Sequence, residues 1–387
     1  MQDTPARSAA AGRLSAFPVA LLAAGGTGGH LFPAEALATV LTARGWRVEL
    51  VTDTRVSGIG EAFAARAQHV VPSGTMPPHH PVRALRGALR LARGYLAARR
   101  LIGAVRPDVV VGFGGYPTLP PIVAAANMGV ATVIHDQNAV MGRANRMLAR
   151  HASGIATSFD DVKYLDPVHE AKVRRVGVPV RKAVLAAAQV PYEAAAGDGP
   201  LRLLVFGGSQ GARVMSEVVP AGLAALPADV RARLSLVQQC RAEDLDEARA
   251  IYSGAGIEAE LAPFFTNLPQ RMAQAHLVIS RCGASTVAEL GVIGRPAVLV
   301  PLPHALDQDQ LYNGRAFAAL GGGVVIEQSN FTPQAVTRLV SEAAGDPARL
   351  AAQAAAARRF GTPRAAEALA DFVAEIAQGG RGGVSPA

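Results

Sequence analysis

Gly25-Gly26-Thr27-Gly28-Gly29-His30 follows the apolar run Val19–Ala24, and Gly207-Gly208-Ser209-Gln210-Gly211-Ala212-Arg213 follows the apolar run Leu201–Phe206. Glycines between a strand and a helix let the backbone approach a ligand and leave the first helical amides free, a setting that favours phosphate. Either loop alone is equally a tight turn. Their recurrence at matching points of two halves points to an anionic ligand held between them. Leu31 stands where a dinucleotide fingerprint needs its third glycine, which disfavours a nicotinamide dehydrogenase. Neither loop ends in Gly-Lys-Ser/Thr, which disfavours a nucleotide hydrolase.

The elements that must position these loops alternate short apolar runs with helical stretches. The runs are Val19–Ala24, Arg47–Thr52, Val109–Val111, Ala131–His135, Leu201–Phe206, Leu234–Cys240, Leu277–Ser280 and Ala297–Val300, and a helix is expected over Ala34–Ala43. Such alternation predicts an α/β fold of two doubly wound, Rossmann-like domains facing across a cleft, with the carboxyl ends of both sheets at a shared ligand site. The Ala-, Gly- and Pro-rich stretch Ala186–Pro200 reads as the linker. The expected domains are therefore residues 18–185 and 200–375, the last helix being free to pack back on the first domain.

At 387 residues, 50% of them hydrophobic, the chain can bury two cores. The isolated cysteines Cys240 and Cys282 form neither a disulfide framework nor a zinc ligand set. The run Val19–Ala24 ends at glycines far short of a membrane-spanning length, so neither export nor spanning is expected. A net charge of +8 favours anionic partners. Nucleic acid is disfavoured, because the basic residues are not interleaved with aromatics.

Taken with Gly112-Phe113-Gly114-Gly115-Tyr116, His135-Asp136-Gln137-Asn138 and Gly283-Ala284-Ser285-Thr286-Val287-Ala288-Glu289, the two glycine loops resemble the MurG family of glycosyltransferases in order and spacing. The resemblance runs from about Ala20 to about Ala370. It implies the GT-B architecture and an inverting transfer of N-acetylglucosamine from UDP-N-acetylglucosamine to an undecaprenyl-linked muramyl-pentapeptide. It places the donor on the second domain and the lipid-diphosphate acceptor on the first, at the cytoplasmic face of the inner membrane. Other cell-wall synthesis proteins are implied as partners. The motif-matched donor positions are Thr27, Gly28, Gly29, Asn138, Arg181, Ser209, Phe265, Ala284, Ser285, Thr286, Val287, Ala288, Glu289 and Gln310.

Elementary chemistry fits several of these roles. The Glu289 carboxylate can accept from two ribose hydroxyls, although an acid early in a helix is also favoured by the dipole alone. Arg181 can fork onto a diphosphate or simply be exposed. Ser209 can donate to phosphate or cap a helix. Phe265 either edges the uracil or packs as core. An inverting displacement needs a base for the acceptor hydroxyl. His30, whose imidazole titrates near neutrality, is the first candidate for that base or for an acceptor-phosphate contact. Tyr116, His135 and Asp136 are secondary. His304, Asp307 and Gln310 are expected to shape the sugar pocket. Leaving-group charge would be met by the Gly207–Gly211 amides and Arg181, so no metal or other cofactor is obligatory. Asp136 replaces the family's more frequent glutamate, and Asp309 stands where a glutamine is common.

From Val82 to Arg100 the chain reads as a basic amphipathic helix. Leu85, Leu89, Ala92 and Leu96 share one face, and Arg83, Arg86, Arg90, Arg93 and Arg100 lie beside it. Either the leucines pack on a sheet, or they dip into an anionic lipid interface together with Met76, Pro77 and Pro78. The alternatives to a muramyl-lipid transferase are another enzyme of this architecture, such as a UDP-N-acetylglucosamine 2-epimerase or a glycolipid synthase, and a non-catalytic UDP-sugar sensor.

Overall fold

The computed structural model describes residues 17–25, 28–53, 63–74, 81–195, 198–208 and 211–382, apart from the side chains of 81–84, 306 and 380–382. Thr27, Ser209, Met76, Pro77 and Pro78 lie outside the described residues, as does the Arg83 side chain.

The first sheet contains β1 (Val19–Ala23), β2 (Arg47–Thr52), β3 (Ala67–Val70), β4 (Val109–Gly112), β5 (Ala131–Asp136), β6 (Gly154–Thr157) and β7 (Val173–Arg175), in the order β3-β2-β1-β4-β5-β6-β7. The second contains β8 (Leu201–Phe206), β9 (Leu234–Gln239), β10 (Ala259–Ala262), β11 (Leu277–Ser280), β12 (Ala297–Leu299) and β13 (Gly323–Val325), in the order β10-β9-β8-β11-β12-β13. Every strand pair is parallel; Leu22 lies opposite both Leu50 and Val111, and Val205 opposite both Ile279 and Gln238. Strand order reverses between β1 and β4 and again between β8 and β11, which opens a crevice at the carboxyl edge of each sheet. The glycine loops leave β1 and β8 at those two reversals.

Alternate residues of each central strand feed opposite faces, as a pleated strand requires. Ala20 and Leu22 join Leu37 and Leu41 of the first helix, Gly28–Ala43, and Leu369 and Val373 of the last helix, Ala365–Gly382. Leu21 and Ala23 join Ile102 and Ile122 on the other face. The last helix thus packs on the first sheet, where a Cβ on Gly154 would come within 2.6 Å of the Phe372 ring. The chain therefore crosses between the domains twice, and the crossovers touch. A Cβ on Gly177, whose φ is +88°, would lie 2.2 Å from the Thr362 hydroxyl.

The first helix differs from the sequence expectation: it begins at Gly28 and runs through a buried Pro33, so Gly28, Gly29 and His30 form its first turn at the crevice. In the basic helix, Pro81–Val105, the inward face carries Gly87, Gly94, Ala98 and Ile102. Gly94 is indispensable there, since its Cβ would lie 2.1 Å from the Pro72 carbonyl oxygen. Leu85, Leu89 and Leu96 point the other way and are 64%, 55% and 54% exposed. Arg86, Arg90, Arg93 and Arg100 are exposed with them. The leucines do not pack on the sheet.

Candidate active site

In the second domain the loop after β8 admits only glycine at 207, where a Cβ would come within 2.2 Å of the Ala212 nitrogen. Gly208 and Gly211 take φ of +92° and +71°, the left-handed region open to glycine. The Gly207 amide donates to Gln239 Oε1 at 3.3 Å, which anchors the loop to β9. The helices Arg213–Ala224 and Ala284–Ile293 both begin in this crevice, and at neither does a side chain cap the first turn. Their leading amides are open to an anion, and the helix dipoles favour one there.

Facing them, the His30 ring lies against the Gly112–Tyr116 loop; a Cβ on Gly114 or Gly115 would sit 3.4 or 3.5 Å from it. His30 is half-buried. Tyr116 starts a short 3-10 turn and packs its ring against the core.

Arg181 and Glu289 form one unit. Arg181 Nη2 donates to Glu289 Oε1 at 3.4 Å, and the guanidinium lies 3.8 Å over the Phe32 ring of the first helix. Glu289 is 6% exposed, and burial pushes its carboxyl above the usual range against the pull of Arg181. Glu35 is likewise raised by burial and opposed by Arg181. The buried Arg181 Nε and Ser285 Oγ have no hydrogen-bond partner. A long, imperfect ion pair with orphaned donors beside it is held weakly enough to be rearranged by a charged ligand.

Around the next strand end lie the secondary base candidates Asp136 and His135. Asp136 is 2% exposed, and its carboxylate accepts from the Asn138 amide (3.1 Å), the Gly142 amide (2.8 Å) and Asn145 Nδ2 (2.9 Å). Its lone pairs are committed to the loop it organises. His135 is fully buried, donates from Nε2 to the Gly177 carbonyl at 2.9 Å and accepts at Nδ1 from Gln137 at 3.1 Å. Burial pulls its pKa down to about 4, so it stays neutral and structural. Both side chains are thus held by hydrogen bonds within the first domain.

Residues that sequence reasoning missed tie the domains together here. Asn313, fully buried, accepts from the Ala139 amide at 2.8 Å and donates from Nδ2 to Asn138 Oδ1 at 2.9 Å and to the Cys282 carbonyl at 3.2 Å. Its only sequence signal is a position one helical turn beyond Gln310. Asp307 accepts from Arg143 at 3.4 Å and from Arg146. Burial opposes its ionisation, yet the two arginines hold its carboxyl below the usual range. Asp307 and Gln308 both take positive φ, 55° and 59°, a strained pair at the cleft.

The remaining expected positions are less central. Gln310 Oε1 accepts from the Leu302 amide at 3.0 Å and so braces its own loop. Asp309 is raised by burial, with Asp136 and Asp307 adding to the effect. Phe265 is 8% exposed under the Arg271 guanidinium, 4.3 Å from its ring, whereas its neighbour Phe264 is 64% exposed. Val287 is core, and Ala284 and Ala288 face an interdomain cavity. No group of three or more His, Cys, Asp or Glu side chains is placed to hold a metal among the described residues.

With this geometry in hand, the comparisons are specific. Residues 20–157 match the glycosyltransferase family 28 N-terminal domain, and residues 202–369 match its C-terminal domain. The chain is 56% identical to the UDP-N-acetylglucosamine--N-acetylmuramyl-(pentapeptide) pyrophosphoryl-undecaprenol N-acetylglucosamine transferase of Methylobacterium sp. (strain 4-46), over 93% of this chain and 97% of that one. It is 52% identical to the transferase of the same name from Brucella abortus (strain S19), over 93% and 95%. Among solved structures, Acinetobacter baumannii MurG superposes with a TM-score of 0.74 at 27% identity, covering 92% of this chain and 99% of that one. Phytolacca americana UGT2, with a TM-score of 0.65 at 16% identity over 94% and 100%, shows the fold alone.

Proposed function

The chain belongs to glycosyltransferase family 28, and from that premise we infer that it moves N-acetylglucosamine from UDP-N-acetylglucosamine to the muramyl C4 hydroxyl of undecaprenyl-pyrophosphoryl-N-acetylmuramyl-pentapeptide. This is the conversion of lipid I to lipid II in peptidoglycan synthesis. The observation that carries the reading is the near-full-length match to transferases of that name, joined to glycine loops from both domains at one crevice.

The donor takes the second domain. Its diphosphate meets the amides of the loop after β8 and of the Ala284–Ile293 helix start, and Arg181 swings from Glu289 to reach it. Glu289, so released, accepts from the ribose hydroxyls. Asn138, oriented by Asn313, meets the sugar from the first domain. His30 is the base that takes the C4 hydroxyl proton as the anomeric bond inverts in a single displacement. Departing UDP is stabilised by the same amides and by Arg181, so no metal or other cofactor is obligatory.

The acceptor's polyprenyl chain requires a membrane surface beside the first domain. Leu85, Leu89 and Leu96, exposed among arginines, support peripheral attachment to anionic lipid at the cytoplasmic face of the inner membrane. Among the described residues no helix is long and apolar enough to cross a membrane.

The test is transfer of radiolabelled N-acetylglucosamine to a short-chain muramyl-peptide lipid in the presence of EDTA, with the product's anomeric configuration determined. A β-linked disaccharide lipid is the expected product. Donor binding without transfer would overturn the reading in favour of a sensor or an epimerase. In the same assay His30→Ala should lower kcat far more than donor affinity, and wild-type turnover would remove His30 from the chemistry.

A further inference from the structure

Where the two crossovers pass each other, the domains enclose a cavity of about 430 Å³, within the roughly 300–1,000 Å³ of small-molecule sites. The Ala284–Ile293 helix contributes Ala284 and Ala288 to one wall, while Ser285 and Glu289 lie on a neighbouring side of the same helix. Aromatic walls come from both domains: Phe159 follows β6, Tyr312 lies on the Asp309–Ala319 helix, and Phe360 begins the second crossover. The Phe159 and Phe360 rings touch, with centroids 5.9 Å apart.

The cavity carries four cations, Lys163, Arg175, Arg315 and Arg359, against two carboxylates, Asp160 and Asp161. Arg175 is neutralised by Asp160 at 2.7 Å. The Lys163 ammonium lies 4.2 Å over the Tyr312 ring, and Arg315 lies 5.9 Å from the centroid of that ring with a long 3.8 Å contact to Glu327. Arg359 has no ion pair among the described residues. Apolar and aromatic walls with under-neutralised cations at the rim complement a compact body ending in a negative group.

We propose that this cavity, which adjoins the donor crevice across the Ala284–Ile293 helix, is a second ligand site that takes a small aromatic acid and sets the angle between the domains. The acid group meets Arg359 and Lys163, and the ring lies among Phe159, Tyr312 and Phe360. Because Phe360 and Thr362 belong to a crossover and the other walls come from both domains, an occupant bridges the hinge. Ligands that contact both bodies favour the arrangement they fit.

The probe is 1-anilinonaphthalene-8-sulfonate, titrated by fluorescence on the full chain, with uncharged N-phenyl-1-naphthylamine as its partner. One saturable sulfonate phase is expected. Arg359→Glu should weaken it by about tenfold or more, the value of one charge-assisted contact. Ala316→Trp, which fills the cavity, should abolish it, and the uncharged analogue should bind more weakly. Leu89→Gln and saturating UDP-N-acetylglucosamine should leave the phase unchanged. Arg359 is exposed, so its variant decides the matter even if Ala316→Trp fails to fold. Sulfonate binding unaltered by Arg359→Glu, lost with Leu89→Gln, or displaced by the donor would overturn the proposal.

Discussion

Replacing Asn313 by alanine removes three hydrogen bonds at once: from the Ala139 amide, to Asn138 Oδ1 and to the Cys282 carbonyl. Ala139 and Cys282 are buried, so a closed cleft would keep an orphaned donor and an orphaned acceptor. At about 1 kcal/mol per neutral bond, or 1–3 kcal/mol for each group left unsatisfied, the cost to the closed arrangement is about 3 kcal/mol. That corresponds to roughly a hundredfold loss in kcat/KM, provided that transfer requires closure. An opened cleft lets water reach both groups, so the melting temperature should fall much less than activity does. Asn313→Asp is the stringent companion. It keeps the acceptor for Ala139 but turns a second oxygen toward Asn138 Oδ1 and the Cys282 carbonyl, and it should fare no better. The assay is steady-state transfer with the donor varied, paired with thermal unfolding. Wild-type kcat/KM in Asn313→Ala would refute the assignment of this residue as the interdomain bridge.

Arg181→Ala removes the cation that opposes burial at Glu289, so the Glu289 carboxyl should rise further and the acid limb of donor kcat/KM should move to higher pH; an unmoved limb would detach Glu289 from donor binding. Arg86, Arg90 and Arg93 changed together to glutamate should release the chain from phosphatidylglycerol vesicles in a sedimentation assay, and undiminished binding would dismiss the helix as a lipid face. His135, held at about 4 against an ordinary 6.5, binds fewer protons folded than unfolded. Its contribution of about 3 kcal/mol is whole above pH 6.5 and is lost as pH falls toward 4. Urea denaturation across that range should show the decline, and His135→Gln should flatten it in part, since burial also holds His276 at about 4. A slope unchanged by the substitution would contradict the buried neutral state.

What the sequence alone determined was local. The central strands β1, β4, β8 and β11 were legible because strands covered on both faces read as unbroken apolar runs. The glycine loops were legible because a sharp strand-to-helix turn restricts residue type within a few positions. The edge strands β3, β7, β10 and β13 were missed, being half-exposed and short of that signature. Buried β6 was missed as well: it opens with Gly154, and its neighbour Phe372 comes from the far end of the chain. Helical period put Leu85, Leu89 and Leu96 on one face, but Gly94 decided which face turned inward, because only a bare backbone approaches Pro72 so closely. The chemistry of the cleft was decided by tertiary structure. Arg181 meets Glu289 across 108 residues, Asn138 meets Asn313 across 175, and Arg146 meets Asp307 across 161. No local pattern encodes such pairs: the Asn138 and Arg146 contacts exist only once two separately folded sheets bring their carboxyl edges together, and Arg181 reaches Glu289 because Val178, Val180 and Val184 beside it pack into the second domain's core.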